Sequence, residues 1–514
     1  MRLKIKDKRK KIKVNRMNMK YIGKIFRLQL ICILLLFVPE ISGFSQQGLT
    51  LEQALGTAEM NSPSMKKTRL NLIRSQENLN AQNASLKSKF SLTLNPYSYT
   101  QNREFNDLIG DYNTYSTSES FGMFSVSQPI VLTDARISLT NRFGYKDSYS
   151  EYTGTTTKGF SNSLSVSIDQ PLFTYNRTKL SLKELELALE NAQLNYAIQL
   201  LALEKQVSQA FYYVYQQQQS LDISYQAYQN MQKSHEVSKN KVDAGISARE
   251  EMFQAELNLA TTKSDYENAL VSLENAKDDF KLLVGISLFD DIIVLPNIEV
   301  DTAAIDIAFA IDQGLASRME LRQREISIEV SQFDLIQTKA MNEFKGSLGI
   351  TVGIFGDNEN LEDIYANPTD NQAVALSLTI PLWDWGERKA RIKATEASIE
   401  SENVSFVEEQ NNIVLGIRKV YRNLLNLQNQ IEIARQSVTN AQLTYDLNLE
   451  KYKNGDLTGM DLNIFQNQLS EKQLTYTNSL ISYKLELLNL KIQTLYDFEK
   501  KVPVSPVMTL EEKN

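Results

Sequence analysis

Two short stretches, Asp169-Gln-Pro-Leu-Phe173 and Thr379-Ile-Pro-Leu-Trp383, place the same punctuation at two points of the chain, with Pro171 and Pro381 separated by 210 residues. Further on, Lys241-Val-Asp-Ala-Gly245 and Lys451-Tyr-Lys-Asn-Gly455 repeat the offset of 210. It also pairs Glu251 with Asp461, Met252 with Leu462 and Leu259 with Leu469. An offset held from Pro171 to Leu259 marks an internal duplication, and a duplication is read before any other feature because it sets the unit of the fold.

Working outward, each half shows one order. A helix of about 40 residues opens it, over Leu51 to Lys89 in the first half and about Ala304 to Lys345 in the second. A patch of alternating polar and apolar residues follows, then the proline. Beyond Pro171 about 70 residues pass without Pro or Gly; beyond Pro381 only Gly386 and Gly416 interrupt. A glycine turn and a helix of about 40 residues close the half. In the second long segment Ile417, Leu424, Ile431, Val438 and Tyr445 recur every seven residues, with Val420, Leu427, Ala434 and Ala441 three positions on. This is an a/d seam for knobs-into-holes packing. The first-half seam, Val207, Val214, Gln217, Leu221, Tyr228 and His235 with Ala210 and Ser224, is softer and more polar. Small and polar seam residues suit a wide helical cylinder better than a tight rod. A helix of about 70 residues extends roughly 105 Å, the length of two of about 40 stacked end to end.

The patches read as strands: Ser91–Tyr99, Leu164–Ile168, Leu348–Ile354 and Val374–Ile380, with Phe124–Gln128 and Ile137–Tyr145 as additional candidates. Their period of two, apolar outward and polar inward, is the transmembrane β-barrel pattern, and a soluble sheet is the bland alternative. Trp383 and Trp385, the only tryptophans, fall just past a strand end, where an aromatic belt belongs. Four to six strands are too few for a membrane barrel, whose smallest examples have about eight. Open strand edges are not tolerated in lipid. If the strands enter a membrane, several chains share one barrel.

The first 45 residues carry twelve Lys and Arg, from Arg2 to Arg27, against Asp7 and Glu40, followed by the apolar stretch Leu28 to Val38 and the small residues Ser42, Gly43 and Ser45. This is the form of a secretory signal, with cleavage expected near Ser45–Gln46. The formal net charge of −7 then becomes about −17 for the exported chain, which argues against nucleic-acid partners. Cys32, the only cysteine, lies in the apolar stretch. We expect residues 1–45 as signal, 46–300 as the first repeat, 301–500 as the second and 501–514 as a polar tail.

In these features the chain resembles the TolC family of outer-membrane efflux proteins. The resemblance rests on the duplication, the strand-Pro-Leu-aromatic entries at Pro171 and Pro381, and the hairpins Gly245-Ile-Ser-Ala-Arg-Glu-Glu-Met-Phe-Gln-Ala-Glu256 and Tyr452-Lys-Asn-Gly-Asp-Leu-Thr-Gly-Met-Asp461. It implies a mainly helical homotrimer with a β-barrel of four strands per chain in outer-membrane lipid and a helical barrel in the periplasm. It further implies docking of a periplasmic adaptor (a membrane fusion protein) at Ala244, Gly245, Ile246, Asn454, Gly455 and Asp456. An inner-membrane RND or ABC transporter would lie beyond the adaptor. By the same resemblance, Glu251, Tyr452 and Asp461 form the pore constriction, and Pro171, Phe173, Pro381, Trp383 and Trp385 form the strand-to-helix entry and aromatic belt. Two family residues are replaced, by Leu457 and Ile464.

The residues show no catalytic constellation, Walker loop or metal motif, and no cofactor is expected. His235, the only histidine, falls on a seam position and reads as packing. Glu251 and Asp461 also read as ordinary solvated helix acids, and Gly245 and Gly455 as helix-ending glycines. An efflux duct is the leading reading. A duct for type I protein secretion, and a soluble periplasmic coiled-coil adaptor, are the alternatives.

Overall fold

A computed structural model describes residues 47–107, 110–298 and 305–504; the expected secretory signal, residues 1–45, lies outside them. The first half runs β1 (Gln47–Leu49), α1 (Leu51–Asn61), α2 (Pro63–Ser85), β2 (Lys89–Asn106), β3 (Asp111–Ile130), β4 (Ala135–Ser150), β5 (Thr155–Leu172), α3 (Arg177–Asp243), α4 (Arg249–Val284) and β6 (Ile292–Val294). The second runs α5 (Ile307–Ser317), α6 (Met319–Lys339), β7 (Lys345–Asn358), β8 (Thr369–Thr379), α7 (Glu387–Asn454) and α8 (Gly459–Thr494), with the small pair β9 (Tyr496–Asp497) and β10 (Val502–Pro503) at its end. The duplication is therefore real at the level of length: α3 and α7 have 67 and 68 residues, and α4 and α8 have 36 each.

The opening helix of each half departs from expectation. Each is split, into pieces of 11 and 23 residues in the first half and 11 and 21 in the second. In the first half the cause is local. Pro63 lacks an N–H and sits at the first position of α2, where that loss is harmless. In the second half Arg318 breaks the helix with extended backbone, and no proline marks it.

The split lets the short helices stack. The end of α4 at Gly285, with φ +80°, approaches the backbone of Asn61 so closely that a Cβ there would lie 2.9 Å from it. Thus α2 continues the line of α4, and the pair lies beside α3. In the second half α6 and α8 lie together beside α7. Four columns result, in the order α2/α4, α3, α6/α8, α7.

Two apolar cores hold the columns at mid-length. One joins Ala54, Met65 and Leu72 to Val207, Phe211 and Val214 of α3 and Phe280 and Val284 of α4. The other joins Ala310 and Leu321 to Ile413, Ile417, Val420 and Leu424 of α7 and Tyr483, Leu487 and Leu490 of α8. Each such buried aliphatic or aromatic side chain contributes about 1.5–3 kcal/mol. The predicted α7 seam is the one that packs. The α3 seam is corrected below Val214: the buried positions are Ile223, Met231, Ser234 and Ser238, rotated from Leu221, Tyr228 and His235. The rotation follows from α3 being flanked by α4 on one side and α8 on the other.

At the end of the columns opposite the glycine hairpins stands one antiparallel sheet in the order β2-β3-β4-β5-β7-β8. Both additional candidate patches belong to it, within β3 and β4. The chain thus contributes six strands, not the four that the family resemblance implies. The duplicated pairs are β2/β5 and β7/β8; β3 and β4 form a hairpin inserted between the first pair.

Candidate functional site

The sheet has two chemically distinct faces. One cross-strand row is Phe90, Val126, Leu139, Val166, Val352 and Gln372; the next is Leu92, Phe124, Asn141, Leu164, Ile354 and Asp370, so apart from Asn141 the rows are apolar as far as β7 and end on polar residues of β8. Between them, on the other face, runs Ser91, Ser125, Thr140, Ser165, Gly353 and Asn371. The row below that is Lys89, Ser127, Ser138, Ser167, Thr351 and Ala373. An apolar face for lipid and a polar face of small side chains for a water-filled lumen follow from this alternation. Farther along, on the polar face, the Arg142 guanidinium pairs with Glu119 and lies 4.2 Å over the Phe121 ring. Asn141 and Asn162 interrupt the apolar face but satisfy each other, the Asn141 amide donating to Asn162 at 2.8 Å. No helix among the described residues is long and apolar enough to cross a membrane.

The strand-to-helix entries differ in detail. Pro171 lies within the last residues of β5, and Phe173 follows with φ +57°. Pro381 lies beyond β8, and the turn is completed by Trp385 at φ +55° and Gly386 at φ +84°. Asp384 caps this entry, accepting from the backbone N–H groups of Gly386 (2.9 Å) and Arg388 (3.2 Å). Trp383 and Trp385 pack edge to face, 5.6 Å apart, and Trp385 is 90% exposed. Such amphipathic rings at a strand end suit a membrane interface.

At the opposite end the two hairpins are geometrically alike. Ile246 N–H donates to Lys241 O (2.8 Å) and Gly245 N–H to Val242 O (3.0 Å); Asp456 N–H donates to Lys451 O (2.9 Å) and Gly455 N–H to Tyr452 O (3.2 Å). Both are Schellman ends, which require the left-handed conformation that Gly245 (φ +75°) and Gly455 (φ +92°) supply. Ala244, Gly245, Ile246, Asn454, Gly455 and Asp456 are all exposed.

The acidic residues expected at the tip sit in the first turns of α4 and α8, both half-buried. There a carboxylate also complements the positive end of the helix. The Thr458 hydroxyl accepts from the Asp461 N–H (3.2 Å) and donates to the Asp461 carboxylate (2.7 Å).

Tyr452 is 1% exposed in the single chain. The phenol donates to Ser234 O at 2.9 Å, so the hydrogen bond with Ser238 Oγ (2.8 Å) is one in which the serine donates. Lys241 Nζ donates to Tyr452 O (2.8 Å) and stands 4.5 Å from the ring centroid. Tyr452 thus fastens the second hairpin to α3 of the first. Leu457 packs on the apolar cluster of Tyr445, Tyr452, Leu462 and Leu469, while Ile464 is exposed. The residues that sequence reading missed are Ser234, Ser238 and Lys241. No local pattern marks them, since their partner lies more than 200 positions away.

The halves are also tied by charge. The Arg322 guanidinium of α6 holds Glu190 of α3 through two contacts of 2.7 and 3.1 Å. That pairing keeps the Glu190 carboxyl below its usual pKa, against the opposing effect of partial burial. Lys491 of α8 pairs with Glu204 of α3 at 2.8 Å. Among the described residues no cluster of His, Cys, Asp and Glu is placed to hold a metal ion.

The described residues thus form a four-column helical wall carrying a two-faced sheet. The family model described as "Outer membrane efflux protein" matches residues 136–285 and 310–491. The chain belongs to that family, whose members are channels of the outer membrane reaching into the periplasm, and the soluble-adaptor reading falls away. Solved structures with the same fold include the CmeC outer membrane channel of Campylobacter jejuni, with 13% identity, TM-score 0.66 and coverage of 86% of this chain and 85% of that one. VceC of Vibrio cholerae shares 14% identity, with TM-score 0.63 and coverage of 86% and 95%. The open-state MtrE outer membrane channel of Neisseria gonorrhoeae shares 14%, with TM-score 0.62 and coverage of 87% and 89%. No curated protein sequence matches the chain.

Proposed function

We propose that three copies of this chain close into the outer-membrane duct of a tripartite efflux pump. The duct receives cargo from an inner-membrane RND or ABC transporter through a periplasmic adaptor. The observation that carries the closure is the pair of free edges. One side of the columns exposes Leu70, Ile73, Phe253, Leu257 and Val271 on α2/α4; the other exposes Val404, Ile433, Leu443 and Leu447 on α7. An apolar stripe on each free edge fits copy-to-copy packing in a ring. The sheet edges stand over the same columns: β2 follows α2 directly, and β8 leads into α7.

The adaptor seats on the exposed hairpin residues, with Ile246 as the apolar contact, since it is 75% exposed at the tip. Glu251 and Asp461, six positions past each hairpin glycine, bring two carboxylates per copy to the narrow end. Like charges gathered there favour bound cations. Ile246→Asp leaves the hairpin backbone free to form. We expect it to abolish export of a fluorescent efflux dye from cells while the trimer persists in the outer membrane. Export at the parental rate would refute docking at this tip. Glu251→Ala with Asp461→Ala should weaken cation selectivity and multivalent block in planar bilayers; unchanged selectivity would place these acids outside the pore.

A further inference from the structure

The inserted hairpin β3–β4 has no counterpart in the second half, and nothing in the duplication accounts for it. Below the sheet, α2 packs directly on α3, yet their strands β2 and β5 are held apart by two further strands. The hairpin carries the same two-faced pattern as its neighbours, at the same height. Val126 and Leu139 complete the apolar row between Phe90 and Val166, and Ser125 and Thr140 complete the polar row between Ser91 and Ser165. A surface loop or a plug in the lumen has no reason to alternate in register with the wall. A hairpin also adds strands in pairs, so β2 and β8 remain antiparallel when one copy's β8 meets the next copy's β2. Both edge strands are exposed along nearly all their length, whereas the inner strands are half-buried.

We propose that β3–β4 is an enlargement of the barrel wall, so that three copies close eighteen strands instead of twelve. This rests on the trimeric duct argued above. Eighteen strands at ~4.8 Å spacing and ~40° tilt give a backbone radius of about 18 Å, against about 12 Å for twelve. Twelve helical columns spaced ~9.5 Å apart also give a radius of about 18 Å. The hairpin therefore matches the membrane exit to the helical duct and removes a constriction that four strands per copy impose. In the two polar rows, Ser, Thr and Gly on β3, β4, β5 and β7 leave that width largely open.

The test is solvent mapping of single cysteines in a Cys32→Ser background, in the intact outer membrane. The pairs are Val126/Ser125 on β3 and Leu139/Thr140 on β4, with Val166/Ser165 on β5 and Val352/Gly353 on β7 as reference. A charged thiol reagent should react at Ser125, Thr140, Ser165 and Gly353 positions, and a lipid-soluble one at the other four. Reference strands that alternate beside β3 and β4 positions all open to the charged reagent would overturn the enlarged wall and leave the duct intact. Reference strands that fail to alternate would overturn the duct reading itself. As a second readout, deleting Asp111–Ser150 should give a trimer whose outer mouth admits polymers of distinctly smaller radius, the backbone cross-section falling about 2.3-fold. An unchanged polymer cut-off in an inserted trimer would contradict the proposal.

Discussion

The two halves of the chain agree where the fold must span a fixed distance and differ where it need not. Helices α3 and α7 differ by one residue and α4 and α8 by none, because α3 and α7 must reach from the sheet to the tip and α4 and α8 from the tip to the mid-length cores. Strands of the six-stranded sheet number four in the first half and two in the second, because a hairpin leaves the direction of the chain unchanged and a ring can absorb it. The seams differ as well. That of α7 is a continuous apolar ridge, whereas that of α3 turns to Ser234 and Ser238 near the tip. There the second half supplies Tyr452, and the first half has Val242 at the matching position. The tip is thus fastened in one direction only: hairpin two locks into hairpin one.

The seam contrast predicts the largest effect. Leu424 is 1% exposed in the second core, and Leu424→Ala should cost about 2–5 kcal/mol. Gln217→Ala, on the softer α3 seam, should stay within about 1 kcal/mol. Denaturant unfolding of the purified protein in detergent checks both, and equal losses would deny that the halves pack differently.

The one-way latch predicts an intermediate effect. Tyr452→Phe removes the hydrogen bonds to Ser234 O and Ser238 Oγ and should weaken the hairpin contact by about 1–2 kcal/mol. Open-channel events in planar bilayers should become more frequent, and Val242→Phe should leave them nearly unchanged. A silent Tyr452→Phe would show that the phenol does not hold the tip.

Charge between the halves predicts the smallest effect. Glu190 has its carboxyl depressed by Arg322, so its stabilisation is present above the ordinary carboxyl range and lost as pH falls through the depressed folded value. Both groups are more than a third exposed, which limits the term to about 0.5 kcal/mol. Arg322→Gln should lower the apparent melting temperature at pH 7 by a degree or two, on the order expected for so small a term in a long chain. The difference should vanish once the pH has fallen below the depressed folded value.

The sequence made the columns and the tip legible because both depend on local or periodic signals: Pro/Gly-free length, the heptad, and glycines at a constant offset. The strand count was only partly legible. Phe124–Gln128 and Ile137–Tyr145 have the right alternation, but alternation does not say which strands pair, and the register across β3 and β4 is a tertiary fact. The helix break at Ser62–Pro63 carries a local signal in its proline; the one at Arg318 carries none. The seam of α3 rotates because helices lie on both its sides, which a single-helix periodicity does not reveal. The partners of Tyr452 are not legible for a related reason: they lie in the other half of the chain.

The central claim, that the free edges of one copy meet those of the next, is tested most directly at Phe253 and Leu447. Each lies eight positions from its hairpin glycine, so the two stand at one height on opposite edges, and both are exposed in the single chain. Cysteines at both positions, in a Cys32→Ser background, should be joined between copies by a short bifunctional thiol reagent in intact outer membranes. A covalent trimer on a denaturing gel is the predicted result. A chain that stays monomeric after treatment, with both cysteines still open to a charged thiol reagent, would contradict the edge-to-edge ring.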